Sequence, residues 1–147
     1  MHLGNKNPVD DEGFTPLHSA AYCGHLEICR LLIHNVDRKT PVTNDGNTVL
    51  HLAALKGHLD ICQLIMENIV NKNPESNDGR TPFHSAAENV YLEICQLLKV
   101  NIMNKNPASD DGLTPFNFAA KNGNLKICEK LMYMDKVKKF CDHIMIL

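Results

Sequence analysis

A histidine and a cysteine lie close together in the stretch TPFHSAAENVYLEICQL, residues 81–97, and both side chains could do chemistry. His84 and Cys95 have the residue types of a nucleophile and its base, and both types are also zinc ligands. Either function requires that the fold bring the two side chains together. The first question is therefore which structural elements carry them.

The spacing of the cysteines answers that question. Cys29, Cys62, Cys95 and Cys128 follow one another at intervals of 33 residues. In the same register, four segments superpose without a gap: GFTPLHSAAYCGHLEICRLL (13–32), GNTVLHLAALKGHLDICQLI (46–65), GRTPFHSAAENVYLEICQLL (79–98) and GLTPFNFAAKNGNLKICEKL (112–131). His84 and Cys95 are thus copies of repeated positions, so a special role for one copy should apply to the others.

Each unit predicts a hairpin-like loop followed by two short helices. A threonine can cap the first helix, and in three units proline follows it at the first helical position. Paired alanines permit close approach of a neighbouring helix, and Gly24, Gly57 and Gly123 permit a left-handed turn before the second, amphipathic helix. An Asp-Gly or Glu-Gly pair, typical of tight turns, ends each connecting segment. Since no unit can bury its own apolar face, the units must stack.

A 33-residue period headed by T-P-L-H-x-A is the signature of ankyrin repeats, and the chain resembles that family over nearly its whole length. The resemblance implies an all-α fold, an ankyrin-repeat solenoid of stacked helix-turn-helix units joined by β-hairpin-like loops. We expect one domain over residues 1–147, with residues 1–11 as a partial preceding repeat or loop. Repeats are expected at about 12–44, 45–77, 78–110 and 111–134, and residues 135–147 as a C-terminal capping helix or a truncated fifth repeat.

The repeated threonine, histidine and cysteine positions are predicted to be structural. In proteins of this family the histidine hydrogen-bonds locally, with the threonine, to steady the hairpin and the helix start. Equivalent atoms in stacked helices lie about 8–10 Å apart, too far for one zinc ion with ligands at about 2.0–2.3 Å. A cysteine on an apolar stripe is usually a small buried hydrophobe. These structural positions are Thr15, His18, Thr48, His51, Thr81, His84, Thr114, Cys29, Cys62, Cys95 and Cys128.

Composition narrows the class of protein. A net charge of −2 and a pI near 6.4 argue against a nucleic-acid binder, and no apolar run is long enough for membrane insertion. No segment of the chain resembles a secretory signal, a phosphate loop or a paired-carboxylate site. We therefore expect a monomer without cofactor or metal. Its expected location is intracellular and cytoplasmic, with the nucleus not excluded. Cys23 and Cys141 fall outside the repeated set and are the candidates for reactive thiols, although packing roles are favoured there too.

The resemblance implies a non-catalytic scaffold or adaptor that binds an unidentified protein through the concave surface of hairpin tips and first helices. The alternative is a targeting or regulatory segment of a larger enzyme or channel. Aromatic residues and arginine dominate binding energy at interfaces, so Phe14, Tyr22, Arg80 and Leu113 are the expected anchors. The matching partner-binding positions are Phe14, Ser19, Tyr22, Asn44, Asn47, Leu52, Lys56, Asn77, Arg80, Ser85, Glu88, Asp110, Leu113, Phe118 and Lys121.

Four features depart from a regular repeat or recur without an assigned role. The second helices end in asparagine, at Asn35, Asn68 and Asn101, and these are expected to form left-handed caps in place of glycine. Lys130 replaces a repeated leucine and is expected to give the last unit a polar outer face.

Val90 replaces the turn glycine, so that either Asn89 takes the left-handed conformation or Val90 is strained. A lysine row at the same interval (Lys6, Lys39, Lys72, Lys105, Lys138) predicts a solvated edge, with an acidic partner as the alternative.

Overall fold

The structure, a computed structural model, describes residues 7–36 and 40–133. Its helices are α1 (Pro16–Cys23), α2 (Leu26–Asn35), α3 (Val49–Lys56), α4 (Leu59–Asn68), α5 (Pro82–Glu88), α6 (Leu92–Asn101) and α7 (Pro115–Lys121). Residues 125–133 form α8. Within the described ranges, extended pairing is limited to an antiparallel bridge between Val42 and Thr48. The predicted all-α fold is confirmed.

The helices stack in two layers. The inner helices α1, α3, α5 and α7 pack in sequence, each against the next, and the outer helices α2, α4 and α6 do the same. The alanine pairs make the inner contacts close, since Ala21, Ala54 and Ala87 are completely buried. The core therefore runs along the stack, with every unit contributing to the interface with its neighbours. This is the predicted solenoid.

Each inner helix begins where the sequence predicts. Thr15 Oγ1 accepts the backbone N–H of His18 at 3.3 Å, and Thr48 Oγ1 accepts that of His51 at 3.5 Å. Pro16 stands at the first position of α1, where the helix has no use for an N–H donor. Side-chain capping therefore satisfies backbone donors that the helix itself leaves free.

The inner helices end in left-handed turns, as predicted. Gly24 and Gly57 have φ of 82° and 80°, and the residue after each, a histidine, donates its N–H to a carbonyl of the last helical turn. Hydrogen bonds of this kind close a helix C terminus and reverse the chain. The outer helix can then begin two residues later and pack antiparallel to the inner one.

The connecting segments form tight hairpins joined into a ladder. In the second hairpin, Gly46 N–H donates to Thr43 O at 2.9 Å, which confirms the predicted turn at Asp45-Gly46. Between hairpins, Asn44 N–H donates to Glu12 O, and Asn77 N–H donates to Asp45 O, both at 2.9 Å. Asp110 N–H continues the series to Asp78 O at the same distance. The hairpins are therefore held in register by backbone as well as by helix packing.

The predicted left-handed caps at Asn35, Asn68 and Asn101 are wrong. Each asparagine is the last residue of its helix, and its side-chain amide donates to the backbone oxygen four residues earlier, at 2.6, 2.8 and 2.7 Å respectively. The next residue is extended, as at Val36 with φ of −105° and ψ of 142°. Asparagine thus closes these helices through its amide group instead of through a backbone reversal.

The predicted solvated edge is wrong for the two lysines of the row that the structure describes. Lys72 Nζ donates to Ile69 O at 2.7 Å and also to Met66 O. Lys105 Nζ makes the equivalent bonds to Lys99 O, at 2.6 Å, and to Ile102 O. An ammonium group here pairs with carbonyl oxygens that the helix end leaves without a partner, and it interacts favourably with the negative end of the helix dipole. Lys6, Lys39 and Lys138 lie outside the described residues.

Val90 takes the strained alternative. Its φ is 73°, whereas Asn89 has φ of −98°. In the first two repeats the equivalent turn residue is glycine, and an aromatic ring of the next repeat lies against it. A Cβ atom added to Gly57 would lie 2.5 Å from Tyr91, and one added to Gly24 would lie 2.6 Å from His58. In the fourth repeat the residue equivalent to Tyr91 is Asn124, whose side chain is smaller than that of tyrosine or histidine. A side chain at Val90 is therefore sterically possible although its backbone is strained.

Lys130, expected to give the last unit a polar outer face, is exposed, although the equivalent leucine of the second repeat is buried. Leu64, which has a repeat before it, is 5% exposed, whereas Leu31 in the first described repeat is 64% exposed. The face of the fourth repeat that points away from the third is formed by other residues. Residues 135–147, expected to cap it or to begin another repeat, lie outside the described residues.

Candidate functional site

The repeated histidine joins each unit to the next. His51 Nδ1 accepts the backbone N–H of Thr48 at 3.1 Å, as the family resemblance implied, while Nε2 lies 3.0 Å from Arg80 O in the next hairpin. A carbonyl oxygen only accepts, so Nε2 carries the hydrogen and Nδ1 is the bare acceptor. His18 and His84 make the same forward bonds to Asn47 O and Leu113 O, at 3.3 and 2.9 Å.

The environment keeps these imidazoles neutral. Burial lowers the pKa of His51 to about 4, and burial also lowers the pKa of His18 and of His84 below the ordinary value. A neutral ring with both nitrogens engaged is neither a free base nor a free ligand. Among residues 7–36 and 40–133, no group of three or more His, Cys, Asp or Glu residues could hold a metal ion.

The repeated cysteines are core residues. Cys29, Cys62 and Cys95 are fully buried, and burial raises the thiol pKa to about 11, about 12 and about 12, respectively. A thiolate is the nucleophilic form, so these positions disfavour the chemistry that their spacing suggested. Cys128 is half-buried and Cys23 is exposed, while Cys141 lies outside the described residues.

Most predicted partner-binding residues are accessible on one surface, which we call the inner surface and define by the hairpin tips and the inner helices. The exposed members are Ser19, Tyr22, Asn44, Lys56, Asn77, Asp110, Leu113 and Lys121, and the half-buried ones are Phe14, Asn47, Arg80, Glu88 and Phe118. Leu52 and Ser85 are buried between inner helices. These two positions therefore support the surface from below and present little side chain to a partner.

Arg80 makes two side-chain contacts on the inner surface. Its Nη2 forms an ion pair with Glu88 Oε2 on α5, and its Cζ lies 4.5 Å from the ring centroid of Phe118 on α7. The Phe118 ring in turn meets the His84 ring edge-on, with centroids 5.6 Å apart. The guanidinium is therefore fixed across two repeats while part of it remains accessible.

A second cross-repeat contact lies at the other end of the inner surface. Lys56 Nζ on α3 is 4.4 Å from the ring centroid of Tyr22 on α1, and contact with Tyr22 raises the pKa of the Lys56 ammonium. A cation over an aromatic face is attracted by the ring quadrupole. Tyr22 remains exposed although its ring is oriented by this contact. Sequence spacing predicted both positions but not their pairing.

Comparison with known families agrees with this architecture. A sequence model of ankyrin repeats, covering three copies, matches residues 2–76 and 67–141. The chain belongs to the ankyrin-repeat family. Ankyrin repeats are in general modules for protein–protein interaction, and the family is typically non-catalytic. No helix in the described part of the chain is long and apolar enough to cross a membrane.

Proposed function

We propose that the protein is a non-catalytic scaffold or adaptor that binds a partner protein through the inner surface. One observation carries the proposal: most structural positions hold the same residue in successive repeats, whereas the inner-surface position after the hairpin glycine differs in every repeat. The residue after the hairpin glycine is Phe14, Asn47, Arg80 or Leu113. A surface that is chemically different along a regular frame can recognise one partner specifically.

The fixed side chains favour this surface for binding. Ordering a long side chain at an interface costs roughly 0.5–1.5 kcal/mol, and Arg80 is already held by Glu88 and Phe118. Tyr22 is similarly oriented by Lys56. Tyrosine and arginine are enriched among the residues that dominate binding energy. We therefore assign Tyr22 and Arg80 as principal contacts and Leu113 as an apolar neighbour.

The test compares two doubly substituted proteins as baits for affinity capture with quantitative mass spectrometry. The first carries Tyr22→Ala and Arg80→Ala on the inner surface. The matched control carries Tyr133→Ala and Arg30→Ala, which remove the same residue types from exposed positions on outer helices. The specific partner should be captured by the unmodified chain and the control and lost from the inner-surface variant.

Affinity measured with the purified partner makes the comparison quantitative. Removal of two principal contacts should weaken binding at least about tenfold, equivalent to about 1.4 kcal/mol. Urea unfolding of both variants shows whether each remains folded at the assay temperature. A folded inner-surface variant that binds as tightly as the control would reject the proposal.

A further inference from the structure

One chemically reactive pair of residues lies in the turn between α7 and α8. Asn122-Gly123 is the one Asn-Gly pair in the sequence, and Asn122 is exposed. Glycine has no side chain to shield its backbone nitrogen, so this nitrogen can approach the amide carbon of the preceding asparagine. A Cβ atom added to Gly123 would meet no atom of the described residues within 4 Å beyond its chain neighbours. The pair therefore has the composition and the open surroundings of a deamidation site.

The folded chain engages both groups that would react. Asn122 Nδ2 donates to the backbone oxygen of Glu88 at 2.7 Å, and the backbone N–H of Gly123 donates to Ala120 O at 3.0 Å. Glu88 is the last residue of α5, so the first of these bonds joins the fourth repeat to the end of a helix in the third. Deamidation requires that both bonds open.

The equivalent turn of the third repeat provides a natural control. Its asparagine, Asn89, is followed by Val90, whose β-branched side chain shields the backbone nitrogen. Asn89 Nδ2 donates to Ser85 O within its own helix, and not to another repeat. The first and second repeats have Cys23 and Lys56 at this position. The reactive pair and its bond across repeats thus occur together in the fourth repeat.

We propose that Asn122 deamidates when the fourth repeat opens from the third, and that the product hinders its return. The backbone nitrogen of Gly123 loses its proton to solvent and forms a bond to Asn122 Cγ, and Nδ2 leaves as ammonia after taking a proton from water. A water molecule then opens the cyclic imide to aspartate or isoaspartate. In sum, one water is consumed and one ammonia is released, and no atom is oxidised or reduced.

The product cannot restore the bond between the repeats. A carboxylate only accepts hydrogen bonds, so it has no hydrogen to donate to Glu88 O. Two acceptors then face each other, and the new negative charge lies at the C-terminal end of α7, where it opposes the helix dipole. Deamidation therefore favours the open form of the fourth repeat. Refolding does not reverse the change, because the amide nitrogen has left as ammonia.

Incubation of the full chain at neutral pH tests the site, because tandem mass spectrometry reads the deamidated fraction at each asparagine. Asn122 should deamidate in the folded chain, and Asn89 should remain intact. In urea that unfolds the chain, the Asn122 rate should rise about tenfold or more, since no local opening is then required. In the same urea, Val90→Gly should raise the Asn89 rate to that of Asn122.

A pair of phenylalanine variants tests whether opening of the fourth repeat controls the reaction. The Phe118 ring of α7 packs against the guanidinium of Arg80 in the third repeat, so Phe118→Ala weakens the contact between these repeats. This variant should raise the Asn122 rate about threefold or more in native buffer and leave the rate in urea unchanged. The control is Phe14→Ala, which removes a ring that packs on His18 in the first repeat and should leave the Asn122 rate unchanged.

Hydrogen exchange of the Asn122→Asp variant tests the effect of the product. The backbone amides of α7 should exchange about fivefold faster or more than in the unmodified chain, because the fourth repeat opens more often. Asn89→Asp places the same carboxylate at the equivalent turn, where the amide bonds only to its own helix. This control should accelerate exchange in α7 less than Asn122→Asp does.

Other results would overturn the proposal. If Asn122 stays intact in the folded chain, whether or not it reacts in urea, no native opening leads to deamidation. Equal rates in native buffer and in urea, or equal acceleration by Phe118→Ala and Phe14→Ala, would show that opening of the fourth repeat does not control the reaction. Unchanged exchange of α7 in Asn122→Asp would show that the product docks as well as asparagine does.

Discussion

His51 Nε2 lies 3.0 Å from the backbone oxygen of Arg80, a residue of the next hairpin, while Nδ1 of the same ring accepts the N–H of Thr48. One imidazole therefore joins the start of α3 to the following repeat. Protonation would convert Nδ1 from an acceptor to a donor and abolish the bond from Thr48. The link between repeats depends on the neutral ring.

Stability should decrease as pH falls from about 6.5 to 4. Unfolded histidine titrates near pH 6.5, and folded His51 titrates near 4, so between these values the unfolded chain binds more protons. His51 then contributes on the order of 3 kcal/mol, present above about pH 6.5 and lost on acidification through pH 4. The lowered pKa values of His18 and His84 act in the same direction. Urea unfolding at about pH 7 and about pH 5 measures the difference.

His51→Gln provides the control for this pH dependence. A glutamine has an acceptor and a donor but does not titrate, and Asn117 shows that an amide works here, since its Oδ1 accepts Thr114 N–H at 2.8 Å. The variant should lose part of the pH dependence between about 7 and 5. An unchanged slope would assign the effect to other groups; Asp78, Arg80 and His84 lie nearby and also influence the pKa of His51.

Val90→Gly should stabilise the protein by about 1 kcal/mol. A non-glycine residue in the left-handed region costs of order 1–3 kcal/mol, partly offset by the greater freedom of glycine in the unfolded chain. Thermal and urea unfolding provide the measurement. A loss of stability would mean that Val90 makes favourable contacts that outweigh its strain.

Gly57→Ala is the converse of Val90→Gly, because it adds a side chain at the equivalent turn residue. It places a Cβ at φ of 80° and 2.5 Å from the Tyr91 ring, so it should destabilise the protein by at least about 1 kcal/mol. Comparing the unfolding free energies of the two single variants separates backbone strain from packing. If both variants are as stable as the unmodified protein, the turns tolerate either residue and the strain argument fails.

Asp110→Asn should stabilise the hairpin ladder by about 0.5 kcal/mol. Asn44 Nδ2 donates to Asp11 O at 2.8 Å, and Asn77 Nδ2 donates to Asn44 O at 2.9 Å. Asp110 follows in the series but has no amide to donate to Asn77 O. The reverse change, Asn77→Asp, should cost a similar amount, and unfolding midpoints that move in the same direction for both would contradict the prediction.

Cys62→Ser should destabilise the protein by about 1–3 kcal/mol. The thiol is fully buried between α3, α4 and their neighbours, and a hydroxyl is more costly to remove from water. Cys23→Ser is the control at an exposed position and should change stability little. Equal unfolding free energies for the two variants would show that Cys62 lies in a polar or hydrated site.

Much of the fold could be predicted because the deciding interactions are local. Thr15 caps a helix that begins at the next residue, and Gly24 needs only its own backbone freedom to reverse the chain. The period of 33 residues then required the units to stack. Local reasoning failed at Asn35, which stays helical and closes α2 with its side-chain amide, while the next residue, Val36, is extended.

The sequence by itself determined the repeat, the caps and turns, and which positions differ between units. Only the tertiary structure decided which of those positions are accessible, because burial depends on the neighbouring repeat: Leu52 and Ser85 are covered, whereas Tyr22 is not. The same holds for His51, whose forward bond reaches a carbonyl 29 residues away, and for Arg80, whose partners lie on two different helices. Contacts between residues far apart in the chain exist only once the units are stacked, and these contacts hold the inner surface in place.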